Sequence, residues 1–289
     1  MSEYFNGNVK MEESHQQKYL GDILSSDGTH TKNVQDRRNK GYGIINQIMQ
    51  ILNSTYYGKF YFEVAMILRD SLFLSSILLN SEAWVNYKEN DIRILEQCDE
   101  LLLSRILDCD GKTSNTMKYL ELGAIPIRFL IMKRKILFLQ YILKQDKKSM
   151  MYNILKAIQD KPMKNDFVST CKKYMETLKM NSNFEEIEKM SKFQLRRILM
   201  EKIKNEALAY LRNQQLKQEK IRSIVFNELK MQNYLSDGDT YIDVSKIIYK
   251  TREQTLDIKA QKRWKYEDVI CKGCHKNIEC GEEVLKCEN

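Results

Sequence analysis

Lys18-Tyr19-Leu20-Gly21-Asp22-Ile23-Leu24-Ser25-Ser26-Asp27-Gly28 is the stretch on which the reading of this chain turns. It is an apolar run closed by Ser-Ser-Asp-Gly, which is the chemistry of a strand followed by a turn. Almost everything after it has helical periodicity. A lone strand leaves its backbone N–H and C=O groups unpaired, so it needs a neighbour. The sequence offers Tyr4–Met11, across the polar span Glu12–Gln17. The expectation is one hairpin at the head of a helical protein, placed like the edge of a larger sheet.

Composition supports helix. In 289 residues there are only two prolines and eleven glycines, 30% of residues are charged, and the formal net charge is +8. Such a charge favours an acidic partner such as nucleic acid without demanding one. Met1–Asn8 lacks the apolar core of a signal peptide. The most apolar segment, Phe60–Asn80, carries Glu63, Arg69 and Asp70, as a buried helix does and a membrane span does not. Cys98, Cys109 and Cys171 read as isolated buried thiols, while the other four cysteines crowd the C-terminus. That distribution fits a reducing compartment, and the expected location is intracellular, nuclear or cytoplasmic.

The helical pattern opens at Lys32 or Asn33 and runs over Val34–Leu52, with Val34, Arg38, Ile45, Ile48 and Leu52 on one face. An apolar helix over Lys59–Leu79 follows, then the turn Asn80-Ser81-Glu82-Ala83-Trp84. Asn86 and Glu89 form a capping-box pattern for a helix to Leu107. Ser114–Leu122 is a short helix ended by Gly123, and Pro126 starts Ile127–Lys144. Helices are expected over Met150–Gln159, Asp166–Lys179 and Phe184–Met190. A second capping box, Ser191 with Gln194, opens a helix from Lys192 to about Leu216, with continuation towards Leu229 left open. Ser236-Asp237-Gly238-Asp239 is a turn before a helix over Thr240–Lys250, and the chain divides near Asp146–Ser149.

Two clusters carry candidate chemistry. Cys271 and Cys274 flank a Gly-containing turn in a C-x2-C pair that aims two thiolates at one tetrahedral ion, for which zinc is suited. Cys287 is the better third ligand, and the fourth is Cys280, His275 or a residue beyond Asn289. The expected cofactor is one structural zinc, against the alternative of incidental thiols. Just before it lie Lys262, Arg263, Trp264, Lys265 and Tyr266. These cations neutralise phosphates and the two rings stack on unpaired bases, or else the segment is a solvated amphipathic stretch packing on the body. Lys32, Arg37, Arg38 and Lys40 make the first helix basic, as a phosphate-backbone clamp requires. Lys133-Arg134-Lys135 reads rather as the polar stripe of a half-buried helix. Catalysis leaves almost no trace: none of the three histidines is near a plausible nucleophile in sequence, and there is no Gly-rich phosphate loop, no H-E-x-x-H and no pair of aspartates of the kind that holds two magnesium ions.

Tyr19-Leu20-Gly21 with its Ser-Asp-Gly, a basic helix, an apolar helix, Ser81-Glu82-Ala83-Trp84 and Leu103-Ser104-Arg105-Ile106-Leu107-Asp108 follow one another in an order that resembles the reverse transcriptases of non-LTR retrotransposons. In that family a K-Y-L-G strand closes the palm domain and a helical thumb follows. A cysteine cluster after a basic, aromatic segment is similar to the zinc knuckle downstream in such proteins, although the usual Cys-Cys-His-Cys order is not kept. The family's catalytic aromatic-x-Asp-Asp motif has no match in this sequence. The resemblance therefore implies the thumb and C-terminal part of a polymerase without polymerase activity of its own. It implies a mainly α chain: a palm-edge hairpin at 1–30, a thumb-like helical bundle at 31–147, a second helical region at 148–260, and a basic segment with a partial knuckle at 261–289. Partners are RNA or DNA, as template–primer or target, and no membrane. The alternative function is a helical interaction or scaffold protein with no nucleic-acid role, recognisable by an exposed apolar groove.

Overall fold

The computed structural model describes residues 5–6, 9–10, 15–19, 21–54, 57–85, 87–109, 113–163, 165–236 and 241–253. The described chain is mainly helical, with antiparallel hairpins at its head. The opening stretch is not one strand. Strand β3 (Gln16–Tyr19) pairs with β4 (Asp22–Ser25), with Tyr19 opposite Asp22, so the chain reverses at Gly21, inside the expected strand. Gly21 makes this possible at φ +87°, a left-handed conformation that other residues adopt only under strain. Within the expected partner, β1 (Phe5–Asn6) pairs instead with β2 (Val9–Lys10), in a separate ladder. Ser25–Gly28 is the turn expected, with the Gly28 N–H donating to the Ser25 carbonyl at 3.0 Å.

Twelve α-helices follow among the described residues: α1 (Thr31–Ser54), α2 (Tyr61–Leu68), α3 (Leu74–Ile77), α4 (Glu89–Ile106), α5 (Asn115–Leu122) and α6 (Ile127–Leu143), then α7 (Met150–Asp160), α8 (Phe167–Thr177), α9 (Phe184–Lys189), α10 (Lys192–Gln215), α11 (Asn233–Ser236) and α12 (Ile242–Arg252). None is long and apolar enough to cross a membrane. The chain separates into two compact units, 1–43 with 74–98 and 127–200, and 44–73 with 99–126 and 201–289. Each is drawn from three stretches, and the sequence boundary near Asp146–Ser149 falls inside the first.

In the first unit α6 packs on α7, α8 and α9 around Ile131, Ile136, Leu139, Leu155, Val168, Met175 and Ile187, all buried. The helix starts follow side-chain capping. Asp166 accepts from the Ser169 N–H at 2.6 Å and Asn183 from the Glu185 N–H at 2.9 Å. Ser191 and Gln194 satisfy each other's backbone N–H at 3.1 and 2.9 Å, the reciprocal box expected from sequence. Asn86 lies outside the described residues, and at the start of α4 it is Asp91 that accepts from the Lys88 N–H, at 2.9 Å. Gln140 donates to the carbonyls of Ile187 and Met190, both at 2.9 Å, and so ties the end of α9 to α6.

The second unit is built on Ile48, Phe62, Ala65, Phe73, Leu102, Leu120, Leu211, Phe226 and Tyr249. The expected helix Lys59–Leu79 is segmented: a 3-10 turn (Gly58–Phe60) precedes α2, and a π-helical turn (Arg69–Phe73) separates α2 from α3. Arg69 and Phe73 of that turn are both buried. Arg69 meets Asp99 with Nε at 2.7 Å and Nη2 at 2.6 Å, while Tyr119 Oη donates to the same carboxylate at 3.0 Å. α10 stops at Gln215, whose side-chain amide donates to the carbonyls of Ile221 and Ile224 at 2.7 and 2.8 Å and rounds the chain into a turn. The extended piece that follows crosses the end of α5, with the Gln232 N–H donating to the Glu121 carbonyl at 2.9 Å. Gly123 sits there at φ +63°, and a Cβ on it would fall 2.3 Å from the Lys230 backbone. Only glycine fits.

Candidate nucleic-acid interface

The β3–β4 hairpin is fixed to the first unit through one carboxylate. Asp22 accepts from Arg37 Nη2 at 2.7 Å and Asn33 Nδ2 at 3.0 Å on one oxygen, and from Asn80 Nδ2 at 2.8 Å on the other. Arg37 also donates to the carbonyl of Gly21 at 2.9 Å. Burial alone would raise the Asp22 carboxyl, but the hydrogen bonds from Arg37, Asn80 and Asn33 outweigh it and hold the group below its ordinary range. Next to it, His30 Nε2 accepts from the Val85 N–H at 3.3 Å, and its ring stacks on Trp84 at 6.0 Å. Burial lowers the His30 pKa and favours the neutral ring that this bond requires.

With the hairpin docked, its far end and the start of α1 enclose a groove of about 470 Å³. Lys32, Lys88 and His15 line it with Ser25, Ser26, Thr29 and Thr31. Lys32 and Lys88 are exposed, and the first turn of α1 carries no acidic residue to oppose an anion. Asp27 is the counter-charge in the groove, its carboxylate taken up by the N–H and hydroxyl of Thr29, both at 3.0 Å. The donors converge as a sugar–phosphate backbone needs: two ammonium groups beside several hydroxyls.

Of the four α1 cations read as a clamp, the structure leaves Lys32 in this groove. Arg37 is a correction. Its side chain is 3% exposed and paired with Asp22, so it holds the hairpin and does not face solvent. Arg38 is half-buried, its guanidinium 5.9 Å from the centre of the Tyr42 ring, and Lys40 pairs with Asp36 one turn away at 2.6 Å. At 100° per residue Lys32 and Arg38 lie about 120° apart, so the helix does not gather these charges on one face. Lys88 and His15 were missed, because they are joined to Lys32 only by folding and no local pattern marks them. Lys262, Arg263, Trp264, Lys265 and Tyr266 lie outside the described residues, as do Cys271, Cys274, Cys280, His275 and Cys287. Among the described residues no group of three or more His, Cys, Asp or Glu is placed to hold a metal ion.

Three cations on or just after α6 are engaged internally, while Lys135 departs from the polar-stripe reading because it is fully buried. Arg128 is clasped by Glu96 at 2.8 and 2.9 Å, Arg134 donates to the Leu78 carbonyl at 2.9 Å, and Lys144 to the Met190 carbonyl at 2.6 Å. Lys135 is fully buried, donates to the Trp84 carbonyl, and sits 5.1 Å from the centre of the Phe167 ring. Burial pulls its pKa down from 10.5 to about 8. The charged form is therefore about 3 kcal/mol less favourable inside than in the unfolded chain. The folded pKa is depressed, so stability from this group is complete above 10.5 and is lost as pH falls towards 8. Lys135→Met is expected to raise the unfolding free energy at pH 7 by about 1–2 kcal/mol, after the lost hydrogen bond is subtracted. That advantage shrinks as pH rises from 8 to 10.5. Urea unfolding at two pH values checks it, and a variant less stable than the parent at pH 7 contradicts it.

No family model, curated protein or solved structure matches the chain.

Proposed function

We propose that this chain is the thumb and C-terminal part of a reverse transcriptase of the non-LTR retrotransposon type, and that it binds nucleic acid without polymerising it. The observation that carries the reading is the meeting at Asp22. Three separate segments behind the resemblance converge there: the β3–β4 hairpin through Gly21 and Asp22, the basic helix through Arg37 and Asn33, and the Asn80–Trp84 turn through Asn80. Side-chain partners that far apart in sequence explain why such segments would keep their order and spacing. On this reading the Lys32–Lys88 groove takes the phosphate backbone of a template–primer, and Lys262, Arg263, Trp264, Lys265 and Tyr266 grip RNA or target DNA. Cys271, Cys274, Cys280 and Cys287 would hold a structural zinc through thiolates that the metal deprotonates. The sequence holds no adjacent aspartates to bind two magnesium ions, so the proposal assigns it no phosphoryl transfer.

Lys32→Glu combined with Lys88→Glu is expected to weaken primer–template binding by about tenfold or more at low salt, at roughly 1 kcal/mol per reversed charge. Fluorescence anisotropy with a labelled duplex measures it. Both side chains are exposed, so the fold should be unaffected. Unchanged affinity removes the groove from the interface.

A further inference from the structure

Helix α7 is fixed to the first unit by Leu155, which is 2% exposed, yet most of its other apolar residues face solvent. Met150 is 78% exposed, Met151 38% and Ile154 48%, and Met163 just beyond the helix is 70% exposed. Met150 and Ile154 stand one turn apart, and Met151, Ile154 and Ile158 continue at i, i+3 and i+7. The result is an apolar stripe from Met150 to Ile158, about 12 Å long or just over two helical turns. Its rim is basic. Lys147, Lys148 and Lys161, at its two ends, are all exposed, and none forms an ion pair among the described residues. Asp146 and Asp160 are the acids of this stretch, and Asp146 is occupied by the Lys148 N–H at 2.8 Å.

We propose that the α7 face docks an acidic amphipathic helix of a partner protein. The apolar repeat at i, i+3 and i+7 is the pattern that a second helix face covers, and the lysines at its ends select flanking glutamates or aspartates. Methionine side chains adapt to the shape of a protein surface. A lipid surface is the poorer occupant, because the stripe carries no tryptophan or phenylalanine of the kind that anchors interfacial helices. The inference is independent of the nucleic-acid reading, since no residue of the Lys32–Lys88 groove takes part in it.

The test uses the full chain and a labelled synthetic peptide of about 18 residues, with leucines along one helical face and glutamates flanking them. The expected result is saturable binding in fluorescence anisotropy. Binding should fall at least tenfold for a peptide with lysine in place of glutamate. It should also fall at least tenfold for Ile154→Asp, and at least tenfold for Lys147→Glu with Lys148→Glu. These are solvent-facing positions, and unchanged thermal unfolding of the variants confirms that folding is intact. Equal binding of both peptides overturns the proposal, as does equal binding by parent and variants. Preference for phosphatidylserine vesicles over the acidic peptide overturns it in favour of a membrane. Self-association abolished by Ile154→Asp, without peptide binding, overturns it in favour of a second copy of this chain.

Discussion

Asp99→Ala is expected to lower the unfolding free energy by about 4 kcal/mol, the cost of leaving a buried guanidinium without its carboxylate. Arg69 and Asp99 are 2% and 0% exposed, and two nitrogens of one meet two oxygens of the other at 2.6 and 2.7 Å. Burial would lower the Arg69 pKa, but the charge of Asp99 and its hydrogen bonds outweigh this and raise it, so the arginine stays charged at every pH where the protein folds. With Asp99 gone, Arg69 keeps the Ile125 carbonyl at 3.0 Å and Asp70 at 3.2 Å, and Asp70 is largely exposed. A solvent-screened partner recovers little. Tyr119 Oη also loses its acceptor. The paired replacement Arg69→Met with Asp99→Leu should cost much less than Asp99→Ala alone, because an apolar pair leaves no buried charge unpaired. Chemical denaturation of the three variants measures both effects. A loss below about 1 kcal/mol for Asp99→Ala would show that water reaches this site.

Arg37→Ala is expected to release the β3–β4 hairpin, at a cost of about 3 kcal/mol. Arg37 is the donor that reaches both the turn, at the Gly21 carbonyl, and the strand, at Asp22. The hairpin is a surface element with Tyr19 and Leu24 exposed, so little apolar burial holds it once this contact is lost. The loss should be local. Amide hydrogen exchange of residues 16–25 should accelerate by about a hundredfold, with the buried amides of α6 and α8 unchanged. The pH dependence follows from Asp22. Its folded pKa lies below the ordinary 3.8, so the stabilisation is complete above that value and disappears as pH falls through the lower, folded one. Arg37→Ala should remove most of that acid sensitivity. Hairpin amides equally protected in parent and variant would mean that Asn33 and Asn80 hold Asp22 unaided.

Local signals in the sequence were sufficient where local physics decides. Ser191 with Gln194, Ser114, Gly123 and Pro126 each place a helix end through a hydrogen bond or a dihedral preference within a few residues, and these ends are found as read. The opening hairpin was misread because Leu20 and Ile23 make an apolar run across Gly21. Whether that glycine extends a strand or turns it is settled by Arg37, sixteen residues away. The same limit applies to charge. Arg37, Arg69 and Lys135 are indistinguishable from solvated cations on a helical repeat, yet all three are buried by partners distant in the chain. The π turn at Arg69–Phe73 and the short α11 have no composition of their own to reveal them. At the candidate interface Lys32 was legible as part of a basic helix start, but Lys88 and His15 reach the groove only through the docked hairpin.

The salt dependence of binding tests the central claim most directly. Affinity for a primer–template and for single-stranded RNA should fall linearly in log–log form with salt, by about 0.7–0.9 of a decade per decade of salt for each phosphate neutralised. Lys32→Glu with Lys88→Glu should flatten the duplex slope by about 1–2 phosphates' worth. A chain that binds neither nucleic acid at low salt, or binds with an affinity indifferent to salt, contradicts the account.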